Sequence, residues 1–315
     1  MRSLDATVMR ALPDTDGGCA VRSPLRAEEF QVNYRRSLKE DLAPLYRPIQ
    51  PDWFFRTRAR ILPAGERGVT IEINGIELYY ETAGSGEPLL WLHGFMGAGS
   101  DWKYVFDEPP AGYRLIAPDL RGHGASTNPS GTFSFRQAAL DVMGLLRHLE
   151  IDEVKAIGLS GGGIALLHMA TMSATSITSM IIVSAPPYFP EQARVVQRQA
   201  SESMFGEVEM QVMRERHRHG EPQIQQLLAQ SRAFATSYDD VNFTPPLLGT
   251  ISAETLIVFG DRDPLYPVSL ALDLRLAIPR SQLWVIPNGG HGPIFGENAS
   301  QFVRTALAFL AGPSS

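Results

Sequence analysis

The chain has 315 residues, 44% hydrophobic and 20% charged, with a formal net charge of −6, which is room for one large α/β domain carrying an insertion or an extension. So mild an acidity gives no electrostatic reason to expect nucleic acid or an anionic membrane as partner. The single cysteine, Cys19, excludes an intrachain disulfide framework, and no apolar stretch reaches the roughly 20 residues of a membrane span.

The first ten residues lack the apolar core of a secretory signal. Arg35 and Arg36 are followed by charged and proline-rich residues, "KEDLAPLYRPIQP", where a twin-arginine signal needs an apolar run. A cytoplasmic location is the expectation. Residues 1–67 read as an extension. Phe30, Tyr34, Leu38 and Leu42 recur at helical spacing after a Ser23-Pro24 start, and a Pro- and Arg-rich connector follows. Three readings of this arm stand open: it packs back on the core, it packs on a second copy of the chain to give a homo-oligomer, or it is a loosely ordered arm.

From Gly68 the pattern changes. "VTIEINGIELYYETAG" is two alternating runs joined through Asn74-Gly75, a strong hairpin signal. Strands are then expected at "PLLWLHG", "YRLIAPDL", "VKAIGLS", "SMIIVSA", "TLIVFGD" and "SQLWVIPN". Helices are expected at "SFRQAALDVMGLLRHL", opened by a capping box of Ser134 and Gln137, and at "GGIALLHMATM", "PVSLALDLRLAI" and "ASQFVRTALAFLA". Alternating strands and helices predict an α/β fold: a mostly parallel, twisted, eight-stranded sheet with helices on both faces. The alternation breaks over residues 188–248, which are helical in pattern and polar, so the core is expected at 68–187 and 249–315 with a helical insertion between.

The stretch "AIGLSGGGIALLHM" clumps glycines between a strand and a helix. A phosphate loop would need Lys where Ile164 stands, and a dinucleotide fingerprint would need a third glycine where Leu166 stands. Gly158-Leu159-Ser160-Gly161-Gly162 does fit G-x-S-x-G. In that motif a turn too sharp for side chains at 158 and 162 lifts a serine out of the sheet, at the positive end of the following helix. Ser160 is therefore the candidate nucleophile.

A serine nucleophile needs a base, and the base needs an orienting acid, in the chain order Ser, Asp or Glu, His. His93, His123 and His148 precede Ser160. His168 falls on an apolar helical run and reads as core, while His217 and His219 in "RERHRHGE" read as a solvated face. His291, in the glycine-rich loop "PNGGHGPIF" after the last strand, is the candidate base. Asp263, beyond the turn at Gly260, is the favoured acid, with Asp261 as fallback. The oxyanion donors are expected from the backbone N–H groups of Gly161 and Phe95, with His93 bracing the loop that carries Phe95. Met96, Trp102, Met204 and Leu265 are candidates to line the substrate pocket together with Phe95.

From about Gly68 onward the chain resembles the α/β-hydrolase fold superfamily, in its esterase- and haloperoxidase-like branch. "HGFMGAGSDW", "APDLRGHGAS", "GLSGGG", "GDRDPLYP" and "NGGHGPIF" stand in the order of that family. The resemblance implies that the insertion is a cap over the active site, that Arg121 and His123 are structural, and that residues 1–67 exceed the usual start. It also implies an acyl-enzyme mechanism on a small-molecule ester with a small or medium acyl chain, needing no metal or organic cofactor. Perhydrolase or haloperoxidase, lactonase and carbon–carbon bond hydrolase chemistry use the same three residues. A hydrolase-like receptor of slow turnover would keep them too. Haloalkane dehalogenases and epoxide hydrolases would carry aspartate in place of Ser160.

Overall fold

A computed structural model describes residues 68–173 and 176–312. The expected N-terminal helical arm, its connector and any oligomer contact made there lie outside the described residues. Among the described residues no helix is long and apolar enough to cross a membrane.

Eight strands form one sheet: β1 (Val69–Ile73), β2 (Ile76–Gly84), β3 (Glu87–Leu92), β4 (Tyr113–Pro118), β5 (Val154–Leu159), β6 (Ile177–Val183), β7 (Glu254–Gly260) and β8 (Ser281–Ile286). Their spatial order is β1-β2-β4-β3-β5-β6-β7-β8. β1 and β2 form the expected hairpin, with Ile73 opposite Ile76. Asn74 and Gly75 both take positive φ (49° and 75°), which matches the twist of a two-residue hairpin turn. β2 also meets β4 antiparallel, and every later pairing is parallel.

Side chains alternate between two cores, as a sheet covered on both faces requires. Leu90, Leu92, Met180, Ile182, Ile257 and Phe259 face one apolar cluster. It also holds buried residues of helices α1 (Phe135–His148), α2 (Gly161–Met172) and α7 (Val268–Ala277). Leu89, Trp91, Ile181, Val183, Leu256 and Val258 face the other cluster. That face is closed by α8 (Ala299–Ala311) and by the 3-10 turn Gly99–Tyr104.

The chain reaches β5 from β4 by returning to the far side of β3, so β3 and β5 are neighbours at the point where strand order reverses. Crevices open there, beyond the carboxyl ends of the strands. Leu92 pairs with Gly158 at that edge. The segments that follow, carrying Phe95 and Ser160, therefore emerge side by side.

Ser134 Oγ accepts the Gln137 N–H at 3.1 Å, the first half of the expected capping box. The second half is not made. The Gln137 amide donates instead to Asp141 (3.1 Å), a carboxylate one turn on. Asp141 also accepts two N–H groups of Arg121 (2.6 and 2.9 Å) and the Asn74 amide (3.0 Å), so a buried ion pair ties the loop after β4 to α1 and a hydrogen bond adds the hairpin turn.

Between β6 and β7 lie α3 (Glu191–Arg198), α4 (Glu207–Arg216), α5 (Glu221–Phe234) and the single turn α6 (Pro245–Leu248). The insertion has a small core of its own, formed by Ala200, Met210, Met213, Ile224 and Leu228. Its base is closed by an antiparallel bridge between Tyr188 and Asn242. Asp240 fastens it to the main body by accepting the N–H groups of Phe135 (2.7 Å) and Arg136 (3.1 Å) at the start of α1. A carboxylate is well placed at a helix N-terminus.

Candidate active site

The turn from β5 into α2 holds Ser160 at φ 49°, ψ −111°, a conformation that costs about 1–3 kcal/mol for a residue with a Cβ and persists only where its surroundings impose it. The surroundings are the glycines. A Cβ on Gly158 would lie 2.7 Å from the Gly162 carbonyl, and one on Gly162 would lie 2.3 Å from the carbonyl oxygen of Leu92. Gly163 is tight as well, with Ala185 Cβ 2.6 Å from the position of its missing side chain. Gly162→Ala should therefore lower stability by roughly 1–3 kcal/mol through overpacking against rigid backbone. Gly290→Ala, where a new Cβ meets nothing within 4 Å, should be close to neutral. Urea midpoints of the two variants check this, and equal midpoints would contradict it.

His291 and Ser160 come from loops 131 residues apart in sequence, yet His291 Nε2 lies 2.8 Å from Ser160 Oγ. His291 Nδ1 lies 2.9 Å from Asp263 Oδ2. Ser160 and His291 are half-buried and so reachable by a small molecule, while the Asp263 carboxylate is fully enclosed. Its other oxygen accepts the N–H groups of Leu265 (2.8 Å) and Tyr266 (3.1 Å), which fixes the carboxylate in the loop after β7. It is Asp263 that meets the imidazole; Asp261 is exposed. The loops after β7 and β8 can cross this closely because both carry glycine, with the Gly289 carbonyl oxygen 2.2 Å from where a Cβ of Gly260 would stand.

Phe95 and Gly161 are also brought together. The missing Cβ of Gly161 would lie 3.0 Å from Phe95 N and 2.8 Å from the Phe135 ring. His93 braces their loop: its Nδ1–H donates to Gly94 O (2.8 Å) and its Nε2 accepts the Leu120 N–H (2.9 Å).

The expected pocket residues divide. Met96 and Met204 pack on the core of the insertion, and Leu265 packs on the α1/α2 face of the sheet. Trp102 does not join them. It is 3% exposed and lies in the cluster on the opposite face, its ring 5.5 Å from that of Trp91. The 3-10 turn that carries it folds under the sheet, where a large indole gains more by full burial than at a cleft wall.

Two features went unread in the sequence. Tyr266, three residues beyond Asp263, is buried with its ring edge-on to His291 at 5.1 Å and its hydroxyl facing Ser160. Burial, and then the Asp263 charge, push its phenol above the ordinary range, so it stays protonated. The other is His217, expected on a solvated face and in fact fully buried. Helix α4 ends there, and the extended backbone of His217 turns the ring inward while Arg214, Glu215 and Arg218 stay outside. Its Nδ1 accepts the Gly124 N–H (3.0 Å) and its Nε2–H donates to Met96 O (3.2 Å).

A sequence profile described as the alpha/beta hydrolase family matches residues 89–305. The chain belongs to the α/β hydrolase family. Within that family it is 29% identical over 259 residues to the serine hydrolase BPHL of Mus musculus, covering 76% of this chain and 85% of that one. It is 26% identical over 276 residues to the 2-hydroxy-6-oxo-2,4-heptadienoate hydrolase of Pseudomonas putida, covering 78% and 97%. Among solved structures, a thermophilic esterase from Thermogutta terrifontis matches with a TM-score of 0.60 at 26% identity, covering 79% and 97%. α/β hydrolases have an eight-stranded, mostly parallel sheet with helices on both faces, and the described residues have this architecture.

Proposed function

We propose that this α/β hydrolase cleaves carboxylic esters of small or medium acyl chain through an acyl-enzyme on Ser160. One observation carries the reading. A strained, half-buried serine hydroxyl lies 2.8 Å from an imidazole whose other nitrogen lies 2.9 Å from an enclosed carboxylate. His291 Nε2 takes the Ser160 proton as Oγ attacks the ester carbonyl. Asp263 holds the imidazole proton on Nδ1 and stabilises the imidazolium that forms. The N–H groups of Phe95 and Gly161 receive the oxyanion, each worth about 3 kcal/mol to the transition state. His291 protonates the departing alkoxide, then deprotonates a water that releases the acid and restores Ser160. The helical insertion serves as the cap, and its small core packs against its own Met204 and against Met96 of the loop after β3. Similarity to the Thermogutta terrifontis esterase supports the ester reading.

The test is release of p-nitrophenol from acetate, butyrate and octanoate esters, with Ser160→Ala alongside. The expectation is turnover that falls by about 10⁴-fold or more in the variant and declines for the longest chain. If wild type and variant are equally slow, ester cleavage is the wrong reaction. Similarity to the 2-hydroxy-6-oxo-2,4-heptadienoate hydrolase makes carbon–carbon cleavage of a vinylogous diketone the second reading to assay.

A further inference from the structure

The helical insertion grips the oxyanion loop at the Met96 backbone carbonyl. Residues 94–97 form a tight turn, closed by the Gly97 N–H donating to Gly94 O at 2.9 Å. Phe95 and Met96 are its central residues, and Met96 stands at φ 65°. A type II turn requires that left-handed conformation at its third position, and glycine ordinarily supplies it. A methionine holds it only where the surroundings impose it.

The imposing groups come from the end of α4. Met96 O accepts from His217 Nε2 (3.2 Å) and from Arg216 Nη1 (3.3 Å). Both donors are themselves fixed. The Gly124 N–H donates to His217 Nδ1, which leaves the ring proton on Nε2. Arg216 Nη2 pairs with Asp101 at 2.7 Å, both side chains being at most 7% exposed. Asp101 in turn accepts the Ala98 N–H at 3.0 Å, two residues past Met96. The loop is thus held at 96 and at 98 by groups that are themselves hydrogen-bonded or ion-paired, and the Phe95 N–H lies one residue before the grip.

We propose that His217, together with Arg216, is a positioning residue: through the Met96 carbonyl it holds the turn in the form that aims the Phe95 N–H at the oxyanion. The insertion is then part of the catalytic apparatus as well as a cover. This rests on the reading of Ser160 as nucleophile.

Two variants separate positioning from packing. In His217→Gln the side-chain amide nitrogen reaches the place of Nε2 and keeps the bond to Met96 O. In His217→Asn the carbonyl oxygen stands near Nδ1, keeps the bond to Gly124 and gives up the one to Met96. The readouts are kcat and KM on p-nitrophenyl butyrate, melting temperature, and the rate at which a p-nitrophenyl alkylphosphonate inactivates the enzyme. In that inactivation the Ser160 Oγ–P bond forms, p-nitrophenolate leaves, the serine proton passes to His291, and the phosphoryl oxygen takes the oxyanion position. Removing an oxyanion donor outright costs roughly 10²–10³-fold, so a misaimed one should cost about ten-fold or more. His217→Asn should show that loss in kcat and in inactivation rate with KM nearly unchanged, while His217→Gln stays near wild type.

Equal rates in the two variants, or a loss confined to KM, would overturn the proposal. If His217→Asn fails to fold, Arg216→Lys, which keeps the charge beside Asp101 but loses the fork to Met96, should still lower kcat; unchanged kcat overturns the proposal as well. A folded wild type that does not react with the phosphonate overturns the nucleophile reading and this inference with it. A wild type that reacts alongside indistinguishable variants overturns the inference alone.

Discussion

Asp263→Asn should lower kcat by about 10⁴-fold while leaving the fold intact, because it puts the imidazole in the wrong tautomer. The hydrogen bonds dictate how the asparagine must sit. Two backbone N–H groups, of Leu265 and Tyr266, point at one oxygen of Asp263, so the amide oxygen takes that place. Its NH₂ then faces His291 Nδ1, which has to accept. The ring proton moves to Nε2, which meets Ser160 as a donor and can no longer take its proton. Asp261→Asn, on an exposed side chain in the same turn, should leave kcat unchanged. Steady-state kinetics of the pair decide the matter: an Asp263→Asn enzyme keeping a tenth of its activity, or an Asp261→Asn enzyme losing it, would falsify the assignment of the orienting acid.

Mild acid should destabilise the folded protein steeply, and the cause lies outside the reaction. His93, His123 and His217 cluster, the His123 ring tilted to that of His93 with centroids 5.2 Å apart and edge-on to that of His217 at 6.1 Å. Burial pushes each of them down to about 3. Their hydrogen bonds explain why they resist a proton. The acceptor nitrogens of His93 and His217 each face a backbone N–H. His123 Nε2 has no partner among the described residues. Protonation would set donor against donor or bury a charge with no acceptor.

The folded values lie below the ordinary histidine value, so this stability is fully present above pH 6.5 and is lost as pH falls from 6.5 toward 3. Each ring contributes a slope of up to about 1.4 kcal/mol per pH unit. Asp119 acts in the opposite sense: burial raises its carboxyl to about 6, so it regains stability as pH falls below that value. His168, lowered by burial against the pull of Asp240, adds to the loss. The net expectation is a loss on the order of a few kcal/mol between pH 7 and pH 5, a large share of a typical total. Guanidinium midpoints across that range measure it. His123→Phe should flatten the slope by about a third, and stability independent of pH from 7 to 5 would rule the account out.

Local chemistry was enough to read most of the fold from the sequence. Asn74-Gly75 sets a hairpin because both residues tolerate positive φ, and the glycines around Ser160 announce an approach too close for side chains. The alternation of short apolar runs with helical ones set the number of strands and their parallel pairing. The three residues of the hydrogen-bonded relay were legible for the same reason: each stands at the end of a strand, where the chain has turned and a side chain can face a neighbour.

What the sequence left open depended on contacts between distant segments. Trp102 carries no local sign that its turn folds beneath the sheet. His217 sits in a run of charges that any local reading assigns to solvent. Its burial is decided by where α4 ends and by two backbone groups, Gly124 N–H and Met96 O, more than ninety residues away. The place of Asp263 beyond Gly260 already favoured it over Asp261; what the tertiary structure added is that the Asp263 carboxylate is the one aimed at His291. Periodicity and glycine report a backbone's own conformation and so belong to the sequence alone. The partner of a buried polar group is fixed only when the chain closes on itself.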